Sequence, residues 1–237
     1  CPICHTKLIY DYYHFEEIGN YHCPSCHFKK PGADIACTKI DYNNKMITIN
    51  KTNQVHIPYQ LLYCVYNTLA SYTVTNLLGI KEEKIISAID EICGNTKNFS
   101  ITNYQNRMVH VLNNKNENSS TFNQSLLYVD RMKGEKTIII GWKEISRRYA
   151  FDDLSWLYDI DFELLAKHDI NKVVCVGIHR YDIATRIKYA NIEEKKIRTF
   201  ESLEEAVSYI KTSTCGDIYA ILNFDYVMPF HELMNRS

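Results

Sequence analysis

The fold of the N-terminal region is decided by residues 1–26, which read CPICHTKLIYDYYHFEEIGNYHCPSC. This stretch holds two Cys-x2-Cys pairs, Cys1 with Cys4 and Cys23 with Cys26, separated by eighteen residues. Each pair turns tightly so that two thiolates face one metal ion, and two pairs complete a tetrahedral shell. Because four thiolates leave no open position for a substrate, the spacing predicts a structural zinc ribbon that performs no chemistry itself.

Short strands are predicted between the two cysteine pairs. Leu8-Ile9-Tyr10 and Tyr21-His22 have strand character, and Gly19-Asn20 is predicted to be the turn between them. His5 and His27 each follow a cysteine of a pair directly. Either histidine could replace a thiolate, but four cysteines already fill the shell, so we interpret both as residues that surround the site or lie on the surface.

The composition is that of an ordinary globular protein. Of the 237 residues, 46% are apolar and 23% are charged, which is enough to bury a core. A formal net charge of −1 excludes the polycationic field that recruits nucleic acid or anionic lipid. No apolar run approaches the roughly 20 residues that a membrane-spanning helix needs.

Five further cysteines are scattered along the chain, namely Cys37, Cys64, Cys93, Cys175 and Cys215. The total of 9 is odd and forms no disulfide-like framework, which favours a reducing compartment. We interpret these five residues as small buried hydrophobic side chains.

The residues after the ribbon are predicted to form strands and then helices. Strands are predicted at 35–40, 46–49 and 55–57, and helices from about Tyr59 to Leu78 and from Glu82 to Cys93. Gly79 suits the end of the first helix, because glycine readily adopts the left-handed conformation found there.

The pattern changes in the second half of the chain. Residues 113–120 are rich in Asn, Lys and Ser and are predicted to be a loop, followed by a helix from about Thr121 to Met132. Further strands are predicted at 137–140, 172–176, 196–200 and 218–222, with helices at 181–190, 202–211 and 226–234. Apolar strands that alternate with helices predict a parallel sheet covered on both faces, and we expect a domain boundary near residue 100.

Several well-known catalytic motifs do not occur in this sequence. There is no phosphate-binding GxxxxGK[ST] loop, no GxSxG elbow and no His-Glu-x-x-His motif. We therefore expect no ATP hydrolysis by this chain alone. Because the sequence opens on Cys1 and not on Met, we expect it to be a fragment of a longer protein.

Three stretches together resemble one protein family. Residues 21–31, YHCPSCHFKKP, resemble the ribbon in the central domain of the MurT family, the Mur-ligase-like subunits of lipid II isoglutaminyl synthase. Residues 62–71, LYCVYNTLAS, resemble the segment that closes the central ATPase domain of Mur ligases. Residues 153–163, DLSWLYDIDFE, resemble the signature Asp-x-Ser-Trp-x-x-Asp-x-Asp-Phe-Glu of the MurT C-terminal domain. Weaker matches at 122–124 and 180–190 support the same assignment.

The resemblance implies an α/β fold in three parts. Residues 1–30 would be the Cys4 zinc ribbon, and residues 31–97 the C-terminal part of a Mur ligase-like central domain. Residues 98–237 would be a MurT-type C-terminal domain with a Rossmann-like, three-layer fold.

The resemblance also implies a function in peptidoglycan synthesis. The family uses ATP and glutamine to amidate the D-glutamate of the lipid II stem peptide to D-isoglutamine, so the implied activity is that of an amide-forming ligase subunit. The implied partners are a GatD-type glutaminase and lipid II, and the implied location is the bacterial cytoplasm at the inner face of the membrane. The implied cofactors are a structural Zn²⁺, with ATP and Mg²⁺ in the complete subunit.

Candidate site residues follow from the same resemblance. Asn67 matches the family asparagine that helps to hold adenine. Asp153 and Asp159 are candidates for a carboxylate that reaches the glutaminase and orients its catalytic histidine, since such a contact fixes the imidazole tautomer. We favour Asp153, with Asp159 second; the residues themselves leave open that Asp153 is only a helix cap in a solvated loop.

Other charged and aromatic residues have alternative interpretations. Asp182 and Arg186 are spaced i,i+4, which predicts a surface ion pair. Arg180 directly follows a predicted strand, and its alternative role is an oxyanion or phosphate contact. Trp142 and Trp156 are interpreted as packing residues or as anchors of a partner interface.

The sequence departs from the family in several loops, and these departures keep other functions open. Leu61 and Cys64 replace a glycine and an asparagine, and residues 223–225 replace Thr-Tyr-Thr after the last strand. One alternative is a degenerate MurT-like paralogue that binds a partner or precursor without ligase activity. A zinc-ribbon module for nucleic acid is a further hypothesis, which the lack of a basic, aromatic-interleaved face disfavours.

Overall fold

A computed structural model describes residues 1–15, 18–93, 99–114, 118–143 and 153–236. The chain divides into two compact units, residues 1–95 and 96–237. None of the helices in these described ranges is long and apolar enough to cross a membrane.

The first unit begins with an antiparallel hairpin of two strands, β1 (Ile9–Phe15) and β2 (Ile18–His22). The predicted turn at Gly19-Asn20 is wrong, because both residues lie inside β2. Gly19 pairs with Tyr13, and a Cβ atom at Gly19 would lie 2.1 Å from the carbonyl oxygen of Tyr12. The glycine therefore permits a close approach of two strands and does not form a turn.

A three-stranded antiparallel sheet follows the hairpin. Its strands are β3 (Cys37–Asp41), β4 (Met46–Ile49) and β5 (Asn53–His56), in that spatial order. The predicted β4 is confirmed, whereas β3 and β5 are displaced by one or two residues from their predicted positions. Ile47 and Ile49 of β4 are fully buried, so this sheet has one face in the core of the first unit.

Two helices complete the first unit, α1 (Leu62–Leu77) and α2 (Glu82–Cys93). The predicted role of Gly79 is confirmed, since its φ is +80°. The N–H of Gly79 donates to the carbonyl of Asn76 at 2.9 Å and the N–H of Ile80 donates to Thr75 at 3.2 Å, which is the bonding pattern of a Schellman cap.

The second unit is built on a six-stranded sheet. The strands are β6 (Phe99–Tyr104), β7 (Arg107–Asn114), β8 (Lys136–Trp142), β9 (Ile170–Gly177), β10 (Ile197–Phe200) and β11 (Asp217–Asn223). Their spatial order is β10-β9-β8-β11-β7-β6, and every neighbouring pair is parallel except β6 with β7. The predicted parallel sheet is confirmed for the four predicted strands, β8 to β11. The sequence interpretation missed the β6–β7 hairpin, whose strand β7 is a fifth parallel strand of the sheet.

Helices cover both faces of this sheet. They are α3 (Ser119–Arg131), α4 (Arg180–Tyr189), α5 (Leu203–Ser213) and α6 (Phe224–Asn235), with short 3-10 helices at Ser155–Asp159, Phe162–Lys167 and Glu194–Lys196. Helices α5 and α6 pack on the face that carries Val111, Ile139 and Val174. Residues of α3 contact the opposite face, where the Tyr128 hydroxyl lies 2.9 Å from Nδ1 of His110.

The scattered cysteines only partly fit their interpretation as buried hydrophobic residues. Cys64 and Cys175 are buried, and burial raises the pKa of the Cys64 thiol to about 12. Cys37 and Cys93 are half-buried, and Cys215 is exposed, so the interpretation is wrong for Cys215. That residue lies in the turn before β11, where Asn171 donates to its sulfur at 2.8 Å.

Candidate functional site

The four cysteines of the N-terminal hairpin converge on one point. Their sulfur atoms all lie within 4.8 Å of one another. Three of the separations are 3.6 Å (Cys1 to Cys26), 3.4 Å (Cys4 to Cys23) and 3.7 Å (Cys4 to Cys26). A tetrahedral shell with Zn–S bonds of about 2.3 Å has sulfur–sulfur edges of roughly 3.8 Å. The donor set therefore fits a tetrahedral thiolate-bound ion in both type and spacing.

The two cysteine pairs also share their backbone geometry. The N–H of Ile3 donates to Sγ of Cys1 at 3.4 Å, and the N–H of Ser25 donates to Sγ of Cys23 at 3.4 Å. In each pair the donor is thus two residues beyond the first cysteine, and it stabilises negative charge on that sulfur. His5 and His27 do not join the sulfur cluster within the described ranges, and both are exposed.

Asp153 lies at the surface of the second unit. Its carboxylate accepts the backbone N–H of Ser155 at 2.8 Å. This bond, together with one from the Ser155 hydroxyl, lowers the pKa of Asp153. Leu154 is the cap residue of the following 3-10 helix and makes no side-chain cap bond, so Asp153 supports the first turn from one position further out. The carboxylate is ionised and accessible, as a partner contact would need.

Asn123 binds the backbone on both sides of the Asp159–Asp161 segment. Its Nδ2 donates to the carbonyl of Asp159 at 3.1 Å, and its Oδ1 accepts the N–H of Asp161 at 2.7 Å. Asp159 itself is exposed. An amide side chain on α3 therefore fixes the path of the chain through this acidic segment.

Arg186 of α4 binds the same segment from another side. Its Nη2 donates to the carbonyl of Ile160 at 2.6 Å and to the carboxylate of Glu163 at 2.9 Å, and its guanidinium lies over the ring of Phe162. The hydrogen bond from Arg186 lowers the pKa of Glu163. The stretches 122–124, 153–163 and 180–190, which are far apart in the sequence, thus form one assembly.

The predicted ion pair between Asp182 and Arg186 is wrong. Arg186 is almost completely buried and points inward to Glu163, whereas the Asp182 carboxylate lies 3.6 Å from Nδ1 of His179. The side chain of Arg180 is held by the carbonyl of Gly177 at 3.0 Å and by Glu201 at 3.1 Å. These contacts occupy the guanidinium of Arg180, so nothing in its geometry favours the predicted oxyanion role.

The two tryptophans belong to one aromatic cluster with Phe122. The ring centroids of Trp142 and Trp156 are 5.2 Å apart, and Phe122 lies 5.7 Å from Trp142 and 5.6 Å from Trp156. Trp142 is fully buried, so its interpretation as a packing residue is confirmed. Trp156 is half-buried and joins the cluster to the surface that carries Asp153.

Five buried polar atoms of the second unit have no hydrogen-bond partner in the described part of the chain. They are Asn113 Oδ1, Trp142 Nε1, Trp156 Nε1, His179 Nε2 and Asn223 Oδ1. Trp142 and Asn223 are the last residues of β8 and β11, Asn113 is the penultimate residue of β7, and His179 follows β9 closely.

Four of these atoms, all except Trp156 Nε1, therefore lie along the carboxyl edge of the parallel strands, which is where α/β folds build their sites. Unpartnered buried polar groups cost free energy unless water or a ligand satisfies them. Sequence reasoning missed His179 and Asn113, although the position of each directly at or after a strand end is a signal that could have found them.

A match to a known protein family includes the residues of this assembly. Residues 115–226 match the family described as MurT ligase C-terminal. This part of the chain is similar to the MurT family. The match includes all three stretches that Asn123 and Arg186 hold together, so the predicted resemblance is confirmed.

Two characterised MurT proteins are similar to the whole chain. The chain is 28% identical over 242 residues to the lipid II isoglutaminyl synthase (glutamine-hydrolyzing) subunit MurT of Staphylococcus aureus (strain COL), covering 100% of the chain and 53% of that protein. It is 25% identical over 240 residues to the MurT subunit of Streptococcus pneumoniae, covering 99% and 52%. The chain thus spans about half the length of the MurT relatives that it matches.

Solved structures of Mur-type ligases share the fold. A pseudomurein peptide ligase type C from Methanothermus fervidus superposes with a TM-score of 0.69 at 17% identity, covering 99% of this chain and 48% of that one. MurF from Acinetobacter baumannii superposes with a TM-score of 0.62 at 17% identity, covering 86% and 46%. At these identities the likeness concerns the mixed α/β fold alone.

Asn67, the candidate adenine residue, lies outside the MurT C-terminal match. It is exposed on α1, next to Tyr66 and on the solvent side of the helix. An exposed amide at this position is accessible to a ligand.

Proposed function

We propose that this chain is the C-terminal half of a MurT-type subunit of lipid II isoglutaminyl synthase. The complete subunit would amidate the D-glutamate of the lipid II stem peptide to D-isoglutamine, using ATP and glutamine together with a GatD-type glutaminase. The single observation that carries this proposal is the similarity to MurT subunits over the full length of the chain. We place the reaction in the bacterial cytoplasm, at the inner face of the membrane.

A carboxylate is a poor acyl donor, which explains the proposed need for ATP. ATP with Mg²⁺ would supply the phosphoryl group that activates the D-glutamate carboxylate, and ammonia from glutamine would then displace phosphate. Within this chain, Asn67 would bind the adenine of ATP through its exposed amide. The phosphate-binding loop would come from another part of the complete subunit.

The proposed contribution of the second unit is a carboxylate for the partner. A glutaminase of this class needs a group that orients its catalytic histidine, and a carboxylate hydrogen-bonded to the imidazole N–H performs that task. Asp153 is exposed and has a lowered pKa, so it stays ionised at neutral pH. Asp159 is the second candidate, since it is exposed on the same segment.

The proposed role of Cys1, Cys4, Cys23 and Cys26 is to bind one structural Zn²⁺. The support is the sulfur spacing and the matched N–H donors to Cys1 and Cys23. A closed shell of four thiolates would stabilise the hairpin directly, since metal binding contributes to the free energy of folding.

Amidation by the complete complex is the direct test of this function. The full-length subunit that contains this chain should be co-expressed with its GatD-type glutaminase and incubated with lipid II, ATP and glutamine. Mass spectrometry of the stem peptide should detect a carboxamide in place of the D-glutamate α-carboxylate. An active complex of a characterised MurT, run in parallel, confirms that the substrate is competent; an unmodified stem peptide in this chain's complex alone would refute the proposal.

Substitutions relative to the family favour a second candidate, a MurT-like paralogue that binds without ligating. Leu61 and Cys64 replace family residues near Asn67, and Asn223 replaces a threonine at the carboxyl edge of β11. A stable complex with the glutaminase that forms no amide would support this candidate over the first.

A further inference from the structure

The first unit contains a pocket of about 230 Å³ between the hairpin and helix α1. Its apolar wall includes Leu62, Val65 and Leu69, which form one stripe of α1 at spacings of three and four residues. Its other wall includes Tyr12, His14 and Lys30. An apolar pocket with a few converging polar groups is the usual form of a small-ligand site.

The polar side of the pocket is held in a fixed geometry. Nδ1 of His14 and the hydroxyl of Tyr66 are 2.5 Å apart, and their rings meet edge to face at 5.7 Å. On the other side of His14, the ring of Tyr12 stacks on the imidazole at 5.0 Å. Tyr12 lines the pocket and is about half exposed, so part of its ring is accessible.

Lys30 is the charged group of this pocket. None of the ion pairs among the described residues includes Lys30. Burial, together with the nearby charge of Lys30, lowers the pKa of His14. Within the part of the chain that the structure describes, the pocket therefore presents one positive charge without an ion-pair partner, beside an aromatic surface.

The pocket and Asn67 involve different sides of α1. Of the wall residues, Val65 is buried and Leu62 and Leu69 are half-buried, whereas Asn67 is exposed. A ligand in the pocket would contact the hairpin and the inner face of the helix, and it would not need the Asn67 amide.

We propose that this pocket binds a planar aromatic group that carries a negative charge, such as an aryl carboxylate, an aryl sulfonate or a nucleoside monophosphate. The ring lies against Tyr12 and the apolar wall, and the anionic group lies against Lys30. A cavity of about 150 Å³ can hold benzene, so a pocket of about 230 Å³ holds one or two fused rings.

The first test is a binding titration of the chain with naphthalene-2-sulfonate, followed by its fluorescence. We expect saturable binding of one probe per chain. The neutral 2-naphthol should bind about tenfold more weakly, because it loses the charge-assisted contact. Methanesulfonate, which lacks the ring, should not displace the probe. Displacement by uridine monophosphate would identify a nucleotide as the source of the anion, and displacement by naphthalene-2-carboxylate alone would identify an aryl carboxylate.

Matched variants test where the probe binds. Lys30→Met should weaken binding about tenfold, whereas Lys29→Met changes the neighbouring lysine, which does not line the pocket, and should have no effect. Ala33→Trp places a large ring at an exposed wall position and should abolish binding. Val74→Trp adds the same ring to an exposed position of α1 outside the pocket and should leave binding intact.

The proposal is overturned if Lys29→Met and Lys30→Met weaken binding equally, or if Ala33→Trp binds the probe as the unmodified chain does. Circular dichroism of each variant checks that it is folded. Asn67→Ala should bind normally; a loss there would place the probe on the other side of α1 and would also overturn the proposal. This assay uses neither ATP nor glutaminase, so its outcome is independent of the amidation test.

Discussion

The N-terminal hairpin and the six-stranded sheet achieve order by different means. In the hairpin, large apolar side chains such as Ile3 and Tyr13 are 57% and 61% exposed, and four cysteine sulfurs lie within 4.8 Å of one another. In the sheet, strand β8 is buried along its whole length. If these sulfurs bind a metal ion, as we propose, the comparison teaches that about 30 residues with little apolar burial are stabilised by that crosslink, whereas a large core needs none.

The largest expected effect is the loss of the hairpin when the sulfur cluster is removed. Cys1→Ser with Cys4→Ser should abolish zinc binding and unfold residues 1–30, because a structural zinc contributes folding free energy directly. Metal analysis should find one zinc per unmodified chain and none in the double variant. Cys215→Ser, which changes an exposed cysteine outside the cluster, is the matched control.

Hydrogen exchange can locate this effect. The hairpin amides should lose protection in the double cysteine variant, while the fluorescence of Trp142 and Trp156 should not change, since both lie in the second unit. Zinc retained at one equivalent in the double variant would contradict this part of the account.

The next largest effect is expected in the core of the second unit. Phe230 of α6 is fully buried, and Phe230→Ala should reduce the free energy of unfolding by about 3–5 kcal/mol. Ile3→Ala removes an exposed side chain from the hairpin and should change the free energy of unfolding by less than about 0.5 kcal/mol. Denaturant titrations monitored by tryptophan fluorescence and circular dichroism measure both. If both variants lost the same free energy of unfolding, the proposed difference between the hairpin and the six-stranded sheet would be contradicted.

A smaller effect should follow from the loss of the buried arginine. Arg186→Met leaves the Ile160 carbonyl and the Glu163 carboxylate without their donor and should cost about 2–3 kcal/mol. Lys188→Met breaks the exposed pair with Glu194 and should cost less than about 1 kcal/mol. Thermal unfolding of both variants gives the comparison.

The ion pair between Glu163 and Arg186 also makes the stability of the fold depend on pH, and the sign of this dependence can be stated. The folded-state pKa of Glu163 is lowered by Arg186, so its contribution to stability is present above the unfolded-state pKa and is lost as pH falls through the folded-state pKa. Stability of the Arg186→Met variant should therefore fall less steeply in acid than that of the unmodified chain. An unchanged slope would show that Glu163 is not linked to Arg186.

The smallest effect is expected at the end of α1. Gly79 has a φ of +80°, so Gly79→Ala should cost about 1 kcal/mol through backbone strain. Gly32 has no such constraint and no atom near its missing Cβ, so Gly32→Ala should be nearly neutral. A difference of less than a few tenths of a kcal/mol between the two variants would rule out the Schellman cap as a stabilising feature.

The sequence revealed local patterns better than tertiary contacts. The Cys-x2-Cys spacing and the apolar strands predicted elements that the structure contains. The hairpin β6–β7 was missed because its two-residue turn uses Gln105 and Asn106, both with positive φ, where glycine is the usual signal. At Gly19 the error was the opposite one, because a turn was predicted where the chain forms a strand. A glycine that permits close contact between strands has the same sequence signal as a glycine in a turn.

The candidate site was predictable only as far as its exposed residues. Asp153 and Asp159 could be selected from a motif, but the partners of Arg186 could not, because its ion pair is with Glu163, 23 positions away in the sequence. His179 and Asn223 became candidates only when the strand order placed them on one edge. Such groupings depend on the topology of the sheet, which no local pattern encodes.

Our central proposal, that this chain would complete the catalytic site of a glutaminase, is tested most directly at Asp153. Asp153→Asn in the full subunit should leave the complex with the GatD-type glutaminase intact and should reduce its glutamine hydrolysis by about 10⁴-fold, since the neutral amide no longer holds the catalytic histidine in its working tautomer. Asp182→Asn, on the same unit, should hydrolyse glutamine at the unmodified rate. If the Asp153→Asn complex also keeps the unmodified rate, Asp153 only supports the turn at Ser155, and the claim for this residue is contradicted.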